Sequence, residues 1–354
     1  MTQSRVHFPP AARAGQNRPA MATRRTGTRS GRTLSQAKKL VAEGHAIEYP
    51  RLNVRRSGER PKVSDEQRRR AIEKYSQAIA LAPDLAEAYI WRSTSRRRLG
   101  DQGGAKQDSE TAYRLRPADP MAYMQIAFGF PRPMQRRILR QGIARARPGS
   151  WQHRHIGSYS AHTHWYERRF DLMLAATRRL IRLFESLGKG RSVAHLHHQA
   201  GAALMAMGRF GQAERHFRAA FSDSGGTGRL ARSSVVQCRL YRGDVHGAIE
   251  VLDEAKPVLD PFEVELTRMY LLAQLPGAVA VPKKLAPRLL NQRDEGVLGY
   301  MGAVVLLLVL GRRDVAAPRL LAFVQRCEAN PAEWGVTLRW EIAKAKELLT
   351  TVGR

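Results

Sequence analysis

The stretch "AEAYIWRSTSRRRLGDQGGAKQDSETAYRLRPAD", residues 86–119, decides the fold of this 354-residue chain. One stripe of residues recurs at helical spacing through its first half, and a second stripe runs through its second half. Gly100 and Asp101 separate the stripes, and Pro117 ends the second one. The stretch therefore predicts two helices joined by a tight turn. The stripes consist of Tyr89, Ser93, Arg96 and Leu99, and of Ala105, Ser109, Ala112 and Leu115.

The same pattern returns along the chain with a regular period that is typical of two-helix repeats. Tyr89 returns as Tyr123, and the glycines at 208, 243, 277 and 311 follow each other at nearly the same interval. Two helices that cross at close range need small residues where their backbones meet, and glycine gives the turn its dihedral freedom. The chain is therefore predicted to repeat one helical hairpin. The repeat-defining residues are Ala71, Ala78, Pro83, Tyr89, Gly100, Ala105, Ala112, Pro117, Gly201, Gly208, Ala213, Gly243, Ala248, Gly311 and Ala316.

These residues resemble the tetratricopeptide repeat (TPR) family, most clearly at 63–119 and 194–257, and again at 295–328. The pattern degenerates at 120–190, where the glycine–alanine pair is missing, and at 262–291. The resemblance implies an all-α fold, a right-handed α-solenoid of about eight stacked hairpins over residues 63–354. Because one hairpin cannot bury its own apolar face, hairpins stack into a superhelix whose concave surface binds other chains.

Residues 1–62 form a basic segment, with 14 Lys or Arg and 3 acids in a chain of net charge +29. Its composition predicts a disordered tail with a short helix at 35–46. Several interpretations remain open: an electrostatic arm for nucleic acid or an acidic surface, an organelle transit peptide, an extension without function, or a wrongly assigned start with Met21 as the true one. We expect a cytoplasmic protein, with organelle import as the alternative.

The two cysteines, Cys238 and Cys327, lie far apart in apolar segments, which favours buried thiols in a reducing compartment. The longest apolar run, residues 301–310, is about half of the roughly 20 residues needed to span a bilayer. We therefore expect a buried helix there. The sequence lacks a phosphate-binding glycine loop, a nucleophile motif and a metalloprotease helix, so we expect no enzymatic activity and no cofactor.

Seven of the 11 histidines lie between His153 and His198. In the repeat register His197 takes the position of Tyr89 and packs between helices, while His195 and His198 lie on the concave side. His195 and His198 would supply two metal ligands at i and i+3, with His162 or His164 completing a site. That spacing is unspecific, so we favour packed or groove-lining histidines and predict no metal.

The resemblance also gives the residues of the concave groove, a mixed surface with adaptable methionines that suits a peptide or helix with apolar anchors. The lysines and asparagines by which some family members hold a terminal carboxylate are missing. We therefore predict a non-catalytic protein-interaction scaffold. The predicted groove residues are Glu87, Ile90, Thr94, Arg97, Met121, Met124, Phe128, His195, His198 and Met205.

Clusters of arginine recur along the predicted helices and support an alternative function, electrostatic binding of nucleic acid. An acidic protein partner would use the same side chains, and a solvated face is the third interpretation. No motif of a base-reading fold accompanies the charge. The clusters are Arg68 to Arg70, Arg96 to Arg98, Arg136, Arg137 and Arg140, and Arg178, Arg179 and Arg182.

Overall fold

A computed structural model describes residues 27–49, 63–223, 226–257, 259–277, 289, 297–329 and 338–352. Across these ranges the regular structure is entirely helical, with no strand. None of the described helices is both long and apolar enough to cross a membrane. The helices are α1 Gly27–Glu48, α2 Asp65–Leu81, α3 Ala86–Arg98, α4 Gln102–Arg114, α5 Pro120–Ala127, α6 Arg132–Arg145, α7 Trp151–His162, α8 Phe170–Ser186, α9 Ala194–Ala206, α10 Phe210–Ala219, α11 Gly226–Leu240, α12 Val245–Ala255, α13 Pro261–Leu272, α14 Val297–Val309, α15 Arg313–Ala329 and α16 Arg339–Val352.

Consecutive helices pack in pairs from α1–α2 to α11–α12, and each pair contacts the next. Beyond them α13 packs against α14, and α16 against α15. The predicted all-helical solenoid of stacked hairpins is confirmed. The degenerate stretch at 120–190 forms two hairpins, α5–α6 and α7–α8. The second half of the other degenerate stretch, residues 278–291, lies outside the described residues except for Leu289.

The turns between paired helices show why glycine recurs. Gly100, Gly208, Gly243 and Gly311 have φ values of 86°, 75°, 78° and 71°, in the left-handed region that a side chain disfavours. The α7–α8 connection instead places Arg168 at φ 58°. A non-glycine residue there costs about 1 kcal/mol, so the hairpin turns without the glycine that marks the others.

Small residues lie where the paired helices touch. Ala71, Ala78, Ala105 and Ala112 are at most 2% exposed. A Cβ added to Gly201 in α9 would lie 2.7 Å from the Phe217 ring of α10. The repeat therefore preserves close approach between helix axes rather than a specific contact.

The first helix corrects the predicted boundary of the basic tail. The sequence assigned residues 1–62 to that tail with a helix at 35–46, but α1 begins at Gly27 and packs against α2 and α3. Ala37 and Val41 are buried, and a Cβ on Gly44 would lie 2.6 Å from the Tyr75 ring. These three residues form one small, apolar stripe at i, i+4 and i+7, which packs onto α2. Residues 1–26 and 50–62 lie outside the described part.

Polar contacts fix α1 in place. The Lys74 ammonium donates a hydrogen bond to Glu43 at 2.8 Å. The buried Glu48 carboxylate accepts a hydrogen bond of 2.7 Å from Ser95 and lies 3.6 Å from the Arg98 guanidinium. Helix α1 is therefore the first helix of the solenoid.

The core is divided along the solenoid into three clusters. The first joins α1, α2 and α3, the second runs from α3 to α7, and the third extends to α16. Their side chains are mainly Ala, Leu, Val and Ile, with large buried rings such as Tyr75, Tyr123, Phe184 and Phe217. Three cores in series therefore stabilise the array of hairpins.

Candidate peptide-binding groove

The groove is built from one face of each first helix in three successive hairpins, α3, α5 and α7. On α3, Ile90 and Arg97 are seven residues apart, which places them on one face of the helix. Arg97, Phe128 on the α5 C-cap and Tyr159 on α7 are evenly spaced along the chain, at an interval slightly shorter than the repeat period. The three helices thus present equivalent positions side by side.

One end of the groove is an apolar cleft of about 630 Å³ at the beginnings of α3, α5 and α7. Exposed Lys38 of α1 and exposed Glu87 lie at its border. Trp151 is 55% exposed, although it is among the largest apolar side chains in the protein. The cleft therefore offers an unfilled apolar surface between charged residues. Its walls include Ile90, Trp91, Met121, Gln125 and Trp151.

The other end of the groove is cationic and aromatic. The Arg97 guanidinium lies over the Phe128 ring at 5.1 Å, and that ring contacts Tyr159 at 5.0 Å between centroids. The Arg132 guanidinium lies over the Tyr166 ring at 4.3 Å. Burial raises the pKa of Tyr159, and the charges of Arg132 and Arg97 partly offset this. The aromatic rings thus hold two cations at the same end of the groove.

Burial lowers the pKa of Arg97, and the neighbouring charge of Arg98 lowers it further. The Nη1 atom of Arg97 is buried and has no hydrogen-bond partner among the described residues. A guanidinium normally satisfies its five donors when it leaves water. Arg97 therefore retains one buried donor without a partner in the described part of the chain, on a guanidinium that lies over the Phe128 ring.

Five of the ten predicted groove residues lie along the groove of α3, α5 and α7, while His195 and His198 lie on α9, outside it. Glu87, Ile90 and Met121 line the cleft, and Arg97 and Phe128 meet at the cationic end.

Three other predicted groove residues are packed away, which corrects their assignment. Thr94 is 4% exposed and donates to the Ile90 carbonyl at 3.1 Å, while Met124 and Met205 are 8% and 7% exposed. Adjacent helices cover these flanking positions, so the side chains fill cores instead of facing a ligand. Sequence reasoning missed Trp91, Trp151, Arg132 and Tyr159. The signal for Tyr159 was the interval between Arg97 and Phe128, which is shorter than the repeat period and is repeated between Phe128 and Tyr159.

The histidines separate into several local contacts. His195 lies near Arg154 and His155, and burial with these charges lowers its pKa to about 4. The Nδ1 atoms of His197 and His216 are 3.1 Å apart, so His197 packs between α9 and α10. Neutral imidazole is the stable form of His195 and His197 near pH 7 because burial dominates the shifts.

His198 packs on the Phe217 ring at 5.3 Å, and His162 stacks on Trp165 at 6.2 Å. His164 belongs to the turn after α7. Across the described ranges, no three His, Cys, Asp or Glu residues are grouped so as to hold a metal ion. The histidine of α7 whose charge helps to lower the pKa of His195 is His155, and neither His162 nor His164 contributes to that shift.

The arginine clusters are only partly free. Arg92 and Arg96 bind the buried Asp108 at 2.7 and 3.0 Å, and Arg136 binds Glu167 at 2.7 Å. Several others are exposed on α6 and α8, the second helices of their hairpins. The arrangement therefore divides the charge between internal ion pairs and the outer surface. The exposed arginines are Arg137, Arg140, Arg179 and Arg182.

Helix α16 packs against α15 and also contacts residues of α10 and α11. Trp340 contacts the rings of Phe210 and Tyr241 at 5.8 and 5.7 Å. The buried Glu341 accepts a hydrogen bond of 3.2 Å from Gln237, which lies far earlier in the chain, on α11. Burial raises the pKa of Glu341 to about 7. An aromatic side chain and a neighbouring carboxyl group thus dock on the face of α11.

Comparisons with known proteins give a local sequence match and a fold match, and no protein-family model matches the chain. A segment of 45 residues, 13% of the chain, is 51% identical to Tetratricopeptide repeat protein 36 of Mus musculus. The match spans 24% of that protein's length. Apo RapI superposes with a TM-score of 0.53 at 9% identity, over 91% of this chain and 98% of RapI. A tetratricopeptide repeat protein of Parabacteroides merdae gives 0.47 at 11% identity, over 90% and 100%. At these identities the RapI likeness establishes the fold alone.

Proposed function

We propose that this chain, which has the fold of a tetratricopeptide-repeat solenoid, is a non-catalytic scaffold that holds a peptide or helix of a protein partner. The site is the groove of α3, α5 and α7. The observation that carries the proposal is the cleft of about 630 Å³ beside the exposed Trp151. Ligand pockets commonly have about 300–1,000 Å³, so the cleft suits one or two large side chains.

The chemistry of the cleft supports a protein ligand. Tryptophan is enriched among the residues that carry most of the binding energy in interfaces, and methionine adapts its shape to apolar anchors. Trp91, Trp151 and Met121 supply these residue types around one cavity. Glu87 and Lys38 add charges of both signs at the border, which orient a partner rather than attract a polyanion.

The test is an affinity pull-down with the full chain from lysate of the source cell, divided into nuclease-treated and untreated halves. We expect a small set of proteins to survive nuclease. The double variant Met121→Glu and Trp151→Ala should lose that set, because it removes an anchor surface and buries a charge in the cleft. Leu321→Ala is the matched control, since Leu321 is 48% exposed on α15, outside this groove.

Helical circular dichroism must remain unchanged in both variants for the comparison to hold. Equal recovery of partners by the groove variant and the wild type would reject the groove. Disappearance of the bound set after nuclease treatment would instead favour nucleic-acid binding through the exposed arginines of α6 and α8. A steep loss of affinity with salt would then accompany the binding.

We place the scaffold in a reducing, cytoplasmic compartment. Cys238 and Cys327 are both buried free thiols. Burial raises the pKa of Cys238 to about 12, so that thiol is unreactive.

A further inference from the structure

Arg97 and Arg132 have no carboxylate partner among the described residues, whereas the residue next to Arg97 and a residue four positions after Arg132 both have one. Arg98 lies 3.6 Å from Glu48, and Arg136 lies 2.7 Å from Glu167. Arg97 and Arg132 form no ion pair with any carboxylate of the described ranges, and Arg132 donates to the neutral Gln135 at 2.8 Å. The two groove arginines are thus partly covered by aromatic rings and have no anion within the described ranges.

An unpaired, partly desolvated guanidinium is costly unless something compensates it. Aromatic rings under Arg97 and Arg132 supply part of that compensation through cation–π contact. They leave the Nη1 donor of Arg97 unsatisfied. A carboxylate is the group that guanidinium binds with two parallel hydrogen bonds, and it would satisfy this donor.

We propose that Arg97 and Arg132 bind an acidic side chain of the partner, next to an apolar or aromatic anchor that fills the cleft. This inference rests on the proposed function and names the chemistry of its ligand. The net charge of +29 attracts an acidic segment over long distances and so increases its rate of association with the protein.

The distance between the two ends of the groove sets the spacing of the ligand. Ile90 in the cleft and Arg97 at the cationic end are seven residues apart on α3, which corresponds to about 10 Å along the helix. A helical ligand spans this distance between residues i and i+7. An extended ligand rises about 3.3 Å per residue and spans it between i and i+3.

Helix α16 shows, within the chain itself, how an aromatic side chain and a neighbouring carboxyl group dock together on the solenoid. Its adjacent Trp340 and Glu341 dock on α10 and α11, where the carboxyl group meets the neutral Gln237. That site lacks an arginine on the Glu341 carboxyl group, and burial raises its pKa. Gln237 lies near the C-terminal end of α11, and Arg97 lies near the C-terminal end of α3. Because Arg97 is a cation where Gln237 is neutral, the Arg97 site favours an ionised carboxylate.

The test uses a phage library of random 12-residue peptides, selected on the immobilised full-length protein. We expect the enriched peptides to carry an apolar or aromatic residue and an Asp or Glu at a spacing of seven or three. Selection on Arg97→Gln, and separately on Arg132→Gln, should keep the apolar residue and lose the acidic one. Arg140→Gln is the matched control, because Arg140 is exposed on α6 and its replacement removes the same charge.

One enriched peptide is then synthesised with its acid and with the matching amide. Fluorescence anisotropy should give about 10- to 100-fold weaker binding for the amide peptide on the wild type, the range expected for a hydrogen bond to a charged group. On Arg97→Gln the two peptides should bind equally. A role of Arg97 in folding alone would instead lower the melting temperature of that variant and weaken both peptides.

The outcomes separate this inference from the proposed function. Enriched peptides without acids, lost on Trp151→Ala, would overturn the carboxylate site and leave the groove intact. Peptides that bind Trp151→Ala as well as the wild type would overturn both. Binding of a single-stranded DNA oligonucleotide that Arg97→Gln abolishes would reassign the two arginines to phosphate.

Discussion

Replacing Asp108 with alanine should destabilise the second hairpin more than any comparable surface change. Asp108 is 2% exposed, and its carboxylate accepts hydrogen bonds of 2.9 and 2.7 Å from Arg92 and 3.0 Å from Arg96. Removing one partner of such a buried group costs about 3–5 kcal/mol, because the remaining charges stay uncompensated. The arginine side chains retain 15% and 24% exposure, so water recovers part of the loss. We expect about 3 kcal/mol, at the lower end.

The matched control is Glu110→Ala on the same helix, α4. Glu110 pairs with Lys106 at 4.0 Å, and the two side chains are 48% and 64% exposed. Exposed pairs of this kind contribute about 0.2–1 kcal/mol. The assay is urea denaturation followed by circular dichroism, with hydrogen exchange of α3 and α4 to locate the loss, since repeat arrays unfold in segments.

A second variant distinguishes the ion pair from loss of volume. In Arg92→Met with Asp108→Leu the closer pair becomes apolar, and Arg96, which loses Asp108, still lies 3.6 Å from Asp101. Most of the lost stability should therefore return. The reasoning fails if Asp108→Ala costs no more than Glu110→Ala, or if the double variant is less stable than Asp108→Ala alone.

Two further changes test the packing of the second half of the chain. Burial raises the pKa of Glu341 from 4.5 to about 7. Between these pH values the native state binds more protons than the unfolded state, so the free energy of unfolding falls as the pH rises from about 5 to 7. The total loss is about 3 kcal/mol. Glu341→Gln should therefore raise the melting temperature at pH 8 and leave it nearly unchanged at pH 4.5; equal effects at both values would contradict the assignment. Gly201→Ala places a Cβ 2.7 Å from the Phe217 ring and should cost about 1–3 kcal/mol in urea denaturation. Gly190→Ala, whose Cβ would meet nothing within 4 Å, is its control, and equal losses would refute the steric argument.

The repeat could be predicted from the sequence because its defining residues act locally. The glycine and alanine of the pair Gly100 and Ala105 recur at the same distance from each other in four turns, at 208/213, 243/248 and 311/316 as well, so their recurrence reveals the unit. Helix α1 was predicted only in part, since the tail composition around it is dominated by arginine and its buried stripe is short. Its packing depends on Tyr75, which lies beyond the residues at 50–62.

The groove was predicted less completely than the fold. Arg97 and Phe128 were identified because the repeat register was extended from α3 into α5. Tyr159 was missed because the glycine–alanine pair that fixes the register is missing at 120–190, so the register was not carried into α7. The docking of α16 was beyond any local pattern. A glutamate such as Glu341 is normally assigned to solvent, and only the three-dimensional contact with Gln237 explains its burial.

The contact between α16 and α11 changes how the chain folds. In an array where each repeat touches only its neighbours, folding propagates from any point and loops are short. The Glu341–Gln237 contact instead closes a loop across 104 residues, so the loop-closure entropy is lost before the contact can form. We therefore expect the part of the chain between Gln237 and Glu341 to assemble more slowly, because this contact forms only once α16 is available. The hairpins of the candidate groove, which make no contact of this length among the described residues, form before it.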